Sequence, residues 1–181
     1  MRPRFPRAAL LFLLLLLPTT AHAQGDIRLG LGGGVTVPLR GYGDVVDRGW
    51  MGNASLSFFP AASASLGLRL DGLYARNSLS AISGRQTQAG GLASLVFQFG
   101  ARRSPNRFYV FGGGGYLKTT TSSPNFGDVS DTNPAINAGA GFSFGGRAVA
   151  LYAEARYVNV YTDGQKPQFA PVMAGVTFGG F

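Results

Sequence analysis

The sequence predicts an all-β protein, an eight-stranded antiparallel up-and-down transmembrane β-barrel with a polar interior. Three observations lead to this prediction. After residue 24, no segment of helical length carries apolar residues at a 3.6-residue period, and short runs alternate instead between apolar and polar residues. Each run has about the ten residues that a tilted strand needs to cross a bilayer. The connections between the runs alternate between long and short, as in outer-membrane barrels.

The first 23 residues are predicted to form a secretory signal peptide. Arg2, Arg4 and Arg7 precede an apolar run at 8–17, and a small-residue site for a signal peptidase ends at Ala23. The apolar run is too short to cross about 30 Å of hydrocarbon as a helix. We therefore expect export and a barrel domain at residues 24–181, with an uncleaved membrane anchor as the alternative.

Eight strands are predicted from the alternating runs. They lie at residues 27–38, 50–59, 65–76, 88–99, 107–118, 135–144, 148–160 and 169–179. In the seventh, one face is apolar from Val149 to Tyr157, and the other carries Tyr152, Glu154 and Arg156. The fifth run, FYVFGGGGYLK, is ambiguous because either register puts aromatic residues on both faces.

The polar face of the predicted sheet is expected to line the barrel. A soluble barrel needs an apolar interior, and a face of glycine, serine and charged residues cannot fill a dry core. An eight-stranded barrel has an interior that side chains just fill, and a closed sheet satisfies its backbone within a bilayer. The apolar face should therefore meet lipid. A soluble periplasmic barrel of the lipocalin type is the alternative.

Aromatic residues sort into two rings at the strand ends, as expected where amphipathic side chains meet lipid headgroups. The predicted outer end carries Trp50, Tyr74, Tyr157 and Tyr161. The predicted inner end carries Phe58, Phe97, Phe99, Phe108, Phe142, Phe144 and Phe178. The long loops are assigned to the outer end, and the longest, TTTSSPNFGDVSDTNP, is expected to face a ligand. Its Asp128 and Asp131 could hold a weak cation, although their spacing matches no calcium motif.

Four charged residues are predicted to form a network inside the barrel: Arg69, Asp71, Glu154 and Arg156. An arginine that faces lipid at the membrane centre costs ~2–4 kcal/mol, so these side chains should point inward. The third and seventh strands stand opposite each other in a ring of eight. Arg69 can therefore meet Glu154, and Asp71 can meet Arg156, because buried charges require partners. The network either plugs the barrel or acts as a gate or selectivity element in a narrow pore.

Composition excludes several kinds of site. The chain has no cysteine, and its one histidine, His22, would leave with the signal peptide. A disulfide scaffold and a zinc–thiolate site are therefore excluded, and we expect no catalytic residue, no metal site and no cofactor. Three of the 16 basic residues lie in the signal, which leaves 13 basic and 8 acidic residues, a balance of +5 that suits anionic lipid. Nucleic acid is not an expected partner of an exported protein.

The segments LGLRLDGLYAR and LYAEARYVNVY resemble the inward-charged strand pair of the outer-membrane β-barrel domain family, the small eight-stranded barrels of the OmpA, OmpX and opacity type. The last strand, APVMAGVTFGGF, resembles the terminal signal read by the barrel assembly machinery, with Phe181 last and Phe178 fourth from last rather than third. The resemblance implies a monomer in the outer membrane of a Gram-negative-type bacterium.

These observations lead to a structural or surface-interaction role through extracellular loops whose ligand is unknown. The alternatives are a small porin-like passive channel and a lipid-modifying enzyme, which the absence of histidine after the signal disfavours. Six basic residues at strand tops or in long loops either form a solvated rim or neutralise lipopolysaccharide phosphates. They are Arg40, Arg48, Arg76, Arg85, Lys118 and Lys166.

Overall fold

The computed structural model describes residues 25–44, 46–61, 64–80, 84–100, 104, 106–124, 127–146, 148–162 and 167–179. The predicted signal peptide, Lys166 and Phe181 lie outside the described residues. Within the described ranges, no helix is long and apolar enough to cross a membrane.

The chain forms a closed barrel of eight antiparallel strands, in which each strand pairs with the next and the first pairs with the last. The strands are β1 (Asp26–Pro38), β2 (Val46–Phe59), β3 (Leu66–Leu79), β4 (Arg85–Phe99), β5 (Asn106–Ser123), β6 (Gly127–Gly145), β7 (Val149–Val160) and β8 (Gln168–Gly179). A short 3-10 helix (Arg40–Asp44) lies between β1 and β2. The predicted fold class is therefore confirmed.

The even number of strands places the start of β1 and the end of β8 at the same end of the barrel, here called the terminal end. The connections at 60–65, 100–105 and 146–148 lie there as well. The opposite end, here called the loop end, carries the connections at 39–45, 80–84, 124–126 and 161–167. The predicted alternation of long and short connections is wrong, because several strands continue beyond their predicted ends at the loop end.

The largest of these extensions replaces the loop predicted at residues 119–134. β5 runs to Ser123 and β6 starts at Gly127, and the two pair continuously from Asn106↔Phe144 to Ser123↔Gly127. The run of three threonines at 119–121 explains this result, because β-branched residues favour extended backbone even without a core to bury. The segment is a β-hairpin that projects from the barrel wall.

The two faces of the strands have the predicted orientation. In β7, Tyr152, Glu154 and Arg156 are buried, and the alternate residues from Val149 to Tyr157 are exposed on the outer surface. The ambiguous fifth run adopts a single register, in which Tyr109, Phe111 and Leu117 point inward and Phe108 and Tyr116 point outward.

All eleven aromatic residues assigned to the two predicted rings are exposed on the outer surface, and the structure adds Tyr116 to the ring at the loop end. Neighbouring aromatic side chains are in contact: the ring centroids of Trp50 and Tyr74 are 5.4 Å apart, and those of Phe99 and Phe108 are 5.7 Å apart. The band between the rings is mostly aliphatic. Its exposed large residues include Leu29, Leu31, Leu56, Leu68, Leu70, Leu95 and Val172.

The interior is less polar than predicted, because large apolar side chains lie on both sides of the charged residues. The loop-end cluster consists of Tyr42, Val46, Met51, Leu73, Ala75, Leu92, Leu117, Ala135, Val158, Val160, Phe169 and Met173. The terminal-end cluster consists of Phe59, Val96, Tyr109 and Phe111. The expected glycine, serine and charged residues therefore form only part of the lining: the barrel has apolar layers with a polar layer between them.

Several inward glycines lie where the backbone of an adjacent strand leaves no space for a side chain, and Gly113 gives a direct test of this role. A Cβ at Gly113 would collide with the backbone carbonyl oxygen of Ala93, which cannot move without disturbing the sheet, whereas a Cβ at the outward Gly72 would have no neighbour nearer than 4.0 Å. Gly113→Ala should lower the free energy of unfolding by about 1–3 kcal/mol. Gly72→Ala, the matched control, should be neutral or slightly stabilising. Equal losses in a urea titration would contradict the close approach.

Candidate functional site

Two arginines and two carboxylates meet inside the barrel. Arg69 and Asp71 are two residues apart on β3, and Glu154 and Arg156 are two residues apart on β7 across the ring. Because side chains alternate across a strand, each pair points to the same face. We call these four residues the charge cluster.

Every acid in the charge cluster contacts both bases. Across the barrel, Arg69 Nη1 lies 2.5 Å from Glu154 Oε2, and Arg156 Nη2 lies 3.0 Å from Asp71 Oδ1. Along the strands, Arg69 Nη2 lies 2.8 Å from Asp71 Oδ1, and Arg156 Nη2 lies 2.9 Å from Glu154 Oε1. The structure thus contains both pairs expected from the sequence and adds the two pairs within strands. The result is a closed ring of alternating charge with no net charge.

Neutral side chains extend the charge cluster to further strands. Tyr109 on β5 donates a hydrogen bond to Glu154 Oε2 at 3.0 Å. Tyr152 on β7 donates to Asn53 Oδ1 at 3.1 Å, and the amide of Asn53 on β2 donates to Asp71 Oδ1 at 3.3 Å. Since charge-assisted hydrogen bonds are stronger than neutral ones, these contacts fix the positions of the carboxylates.

The ring of Phe111 supports both guanidinium groups. Its centroid lies 5.1 Å from Cζ of Arg69 and 4.9 Å from Cζ of Arg156, within the range of cation–π attraction. The sequence does not predict Phe111 and Tyr109 as part of the site, because the register of the fifth strand is ambiguous. The signal that could have placed them is the need of two inward arginines for partners inside the barrel, since β5 lies between β3 and β7, two strands from each.

The charge cluster is sealed from solvent. The side chains of Asp71, Glu154 and Arg156 have no accessible surface, and that of Arg69 has 6%. Apolar clusters cover it toward both ends of the barrel. Burial of charge is costly and is offset here by the alternating contacts. Two atoms, Asp71 Oδ2 and Arg156 Nη1, are buried with no hydrogen-bond partner among the described residues.

The 3-10 helix closes the interior at the loop end. Its Tyr42 is buried, donates a hydrogen bond to Gln86 Oε1, and accepts one from Gln88 Nε2 at 3.0 Å. Burial raises the pKa of the Tyr42 hydroxyl above its ordinary value, more than the hydrogen bond with Gln88 lowers it. The hydroxyl is therefore neutral at pH 7. The sequence predicts no role for Tyr42, because its segment is typical only of a loop.

The predicted basic rim is spread around the loop end. Arg40 lies in the 3-10 helix with a left-handed φ of 54°, and Arg48 and Lys118 are exposed on β2 and β5. Of the basic residues described, Arg76 and Arg85, on the neighbouring strands β3 and β4, line one common cleft. Among the described residues, the predicted basic side chains therefore do not form a single surface.

The remaining sequence-predicted residues lie apart from the charge cluster. Phe178 is outward on β8 in the terminal-end aromatic ring. Asp131 accepts hydrogen bonds from the backbone N–H of Thr132 and the side chain of Asn133, and Asp128 lies three residues before it on the exposed hairpin. No group of three or more metal-type ligands occurs in the described part of the chain.

Comparison with solved structures shows the same barrel in outer-membrane proteins. Neisserial surface protein A matches with a TM-score of 0.62 at 15% identity, covering 86% of this chain and 96% of that one. A major outer-membrane protein of Thermus thermophilus matches with a TM-score of 0.62 at 10% identity, covering 86% and 99%. The attachment invasion locus protein Ail of Yersinia pestis, in complex with the heparin analogue sucrose octasulfate, matches with a TM-score of 0.52 at 20% identity, covering 85% and 97%.

At such low sequence identity, the structural similarity shows a shared fold. No protein-family model matches the chain, and no curated protein matches it in sequence. The resemblance to small eight-stranded outer-membrane barrels is confirmed at the level of the fold.

Proposed function

We propose that the chain is an integral outer-membrane β-barrel protein with a structural or surface-interaction role and no catalytic activity. The outward surface carries this proposal. A closed barrel with an aliphatic band between two aromatic rings matches the cross-section of a bilayer, whereas a soluble protein rarely exposes an apolar patch of that size. The shared fold with outer-membrane proteins of three bacterial groups supports the same location.

The interior supports a surface role over transport. A passive channel needs a continuous aqueous path, and the charge cluster and the two apolar layers occupy the space where that path would run. A porin-like channel with a charged constriction is the second candidate. It is favoured by the presence of four charged groups at the middle of the lumen, and it requires their rearrangement.

The surroundings follow from this proposal. The loop end faces the outside of the cell, where the exposed arginines meet lipopolysaccharide phosphates, and the terminal end faces the periplasm. Ail, which shares the fold, was crystallised with a sulfated heparin analogue, and an arginine-bearing rim is suited to anionic glycans. Export by the signal peptide, insertion by the barrel assembly machinery through Phe178 and Phe181, and a monomeric state complete the proposal.

Arginine substitution tests the proposed location. Leu70 lies on β3 between the two aromatic rings and is 50% exposed, so Leu70→Arg puts a charge into the apolar band. In a Gram-negative host, the parent chain should be recovered from the outer-membrane fraction and resist alkaline extraction. Leu70→Arg should lower that recovery, since the charge costs about 2–4 kcal/mol at the bilayer midplane.

Ser130→Arg is the matched control, because Ser130 is exposed on the hairpin beyond the aromatic ring. It should leave recovery unchanged, since the cost near the interface is about 0–1 kcal/mol. A soluble periplasmic parent chain, or equal effects of the two arginines, would refute the membrane location.

A further inference from the structure

A cleft of about 460 Å³ opens at the loop end, between the end of the β3–β4 hairpin and the tip of the β5–β6 hairpin. Most of its lining residues carry polar side chains, and it lies on the outer wall, apart from the charge cluster. Its lining consists of Arg76, Ser78, Gly84, Arg85, Ser122, Ser123, Pro124 and Asp128.

Strand register explains why these residues share one surface. Ser78 pairs with Arg85, Arg85 pairs with Ser122, and Ser122 pairs with Asp128, which forms a row across four strands. Neighbouring strands are about 4.8 Å apart, so the row spans roughly 14 Å of backbone. Arg76 lies two residues further along β3, on the same face as Ser78. The row is long enough to accommodate a sugar ring with a substituent.

Charge is separated along the cleft. Among the described residues, neither Arg76 nor Arg85 has a carboxylate within the 4.0 Å of an ion pair, and both residues are exposed. Asp128 lies at the opposite end of the row, with Ser122 between it and Arg85. The cleft therefore offers two guanidinium groups at one end, hydroxyls in the middle and a carboxylate at the other end.

We propose that this cleft binds a sugar that carries a phosphate or sulfate group. The guanidiniums of Arg76 and Arg85 hold the anionic group, because planar forks of N–H donors match its oxygens. Ser122 and Asp128 bind the hydroxyls of the ring. A bare anion would use only half of the cleft and would be repelled by Asp128, whereas a sugar hydroxyl can donate a hydrogen bond to that carboxylate.

The proposed function enters only through the source of the ligand. If the loop end faces outward in the outer membrane, the sugar belongs either to lipopolysaccharide beside the barrel or to a free glycan. Binding by the purified barrel does not depend on cellular location. An absence of ligand binding at the cleft and an absence of the chain from the outer membrane are therefore separate results.

The first experiment titrates the barrel, purified in detergent free of lipopolysaccharide, with glucose 1-phosphate and follows backbone amide shifts by NMR. Saturable shifts should occur at residues of the cleft. Arg76→Gln with Arg85→Gln should weaken binding by about tenfold or more, since each variant removes a charge-assisted contact. Arg48→Gln with Lys118→Gln removes the same charge outside the cleft and should leave affinity within about twofold. Equal losses in both double variants, or no saturable binding, would overturn the proposal.

A second variant separates a sugar site from a simple anion site. Asp128→Ala removes a negative charge and a hydroxyl acceptor together. Binding of inorganic phosphate should become tighter, because repulsion is relieved, while binding of glucose 1-phosphate should become several-fold weaker because a hydroxyl loses its acceptor. If both ligands bind more tightly, the cleft recognises charge alone and the proposal is wrong.

The source of the ligand is read from nanodiscs of phosphatidylethanolamine with and without lipopolysaccharide. Loss of glucose 1-phosphate binding only when lipopolysaccharide is present assigns the cleft to the membrane's own phosphorylated sugars. Unchanged binding in both kinds of disc assigns it to a free anionic glycan.

Discussion

Glu154→Ala should lower the free energy of unfolding by about 3–5 kcal/mol, because it leaves two buried guanidiniums to share Asp71 alone. In the structure Glu154 contacts Arg69, Arg156 and Tyr109, and its side chain has no accessible surface. Solvent therefore cannot replace the lost contacts. Glu154→Gln keeps the shape and a hydrogen-bond acceptor, and the part of the loss that it reproduces measures the role of charge alone.

The coupling between partners is the stronger test of the charge cluster. Arg69→Ala should also be costly, but Arg69→Ala with Glu154→Ala should cost clearly less than the sum, because the double variant leaves one base and one acid in contact. Urea titration in a bilayer, followed by the fluorescence of Trp50, measures each value, since the chain has a single tryptophan. Additive losses would show that the four groups are solvated independently.

The charge cluster was accessible to sequence reasoning because two independent constraints coincide. Alternation places Arg69 with Asp71 and Glu154 with Arg156 on inward faces, and a ring of eight strands sets the third opposite the seventh. Neither constraint specifies distance. The contacts within each strand, which make the ring continuous, depend on side-chain conformations that only the packed interior selects.

The apolar interior layers were missed for a different reason. Leu66, Leu68 and Leu70 point outward, and Leu73 on the same strand points inward. The alternation in the sequence shows whether each leucine faces inward or outward. It does not show that a single apolar residue among glycines on the polar face belongs to a layer. Such layers become visible only when residues from several strands are placed at one height, which requires the register between strands.

The extent of the strands was also beyond the alternation pattern. A membrane strand is recognised by its apolar face, and the β5–β6 hairpin past Lys118 has no continuous one, because serine, threonine and aspartate lie on both of its faces. Backbone pairing continues there through local β propensity. The cleft of Arg76, Arg85 and Asp128 depends on this extension. With a loop predicted in place of the hairpin, the sequence does not indicate that these residues share one surface.

The parent barrel should carry no steady ionic current in a planar bilayer. A variant whose interior is opened without a change in its net charge should carry one. The variant combines Phe111→Ser, Glu154→Ser and Arg156→Ser, which removes the shared aromatic ring together with one acid and one base. Arg69 and Asp71 then remain paired, so the interior keeps no net charge. Leu70→Ser on the outer face is the control and should remain silent, which separates opening of the lumen from general loosening of the barrel.

The same recordings decide between the plug and the channel, because the two functions assign the charge cluster opposite roles. In a plug the cluster blocks ions and sets no preference, so the parent barrel should show no resolved current steps. In a channel the parent already conducts through a hydrated lumen, and Asp71→Asn with Glu154→Gln, which leaves two uncompensated arginines there, should shift its preference toward anions. Steady parent current with that shift would establish the porin-like function. Silence in the parent and current in the triple variant alone would establish a barrel whose centre serves to hold its wall together.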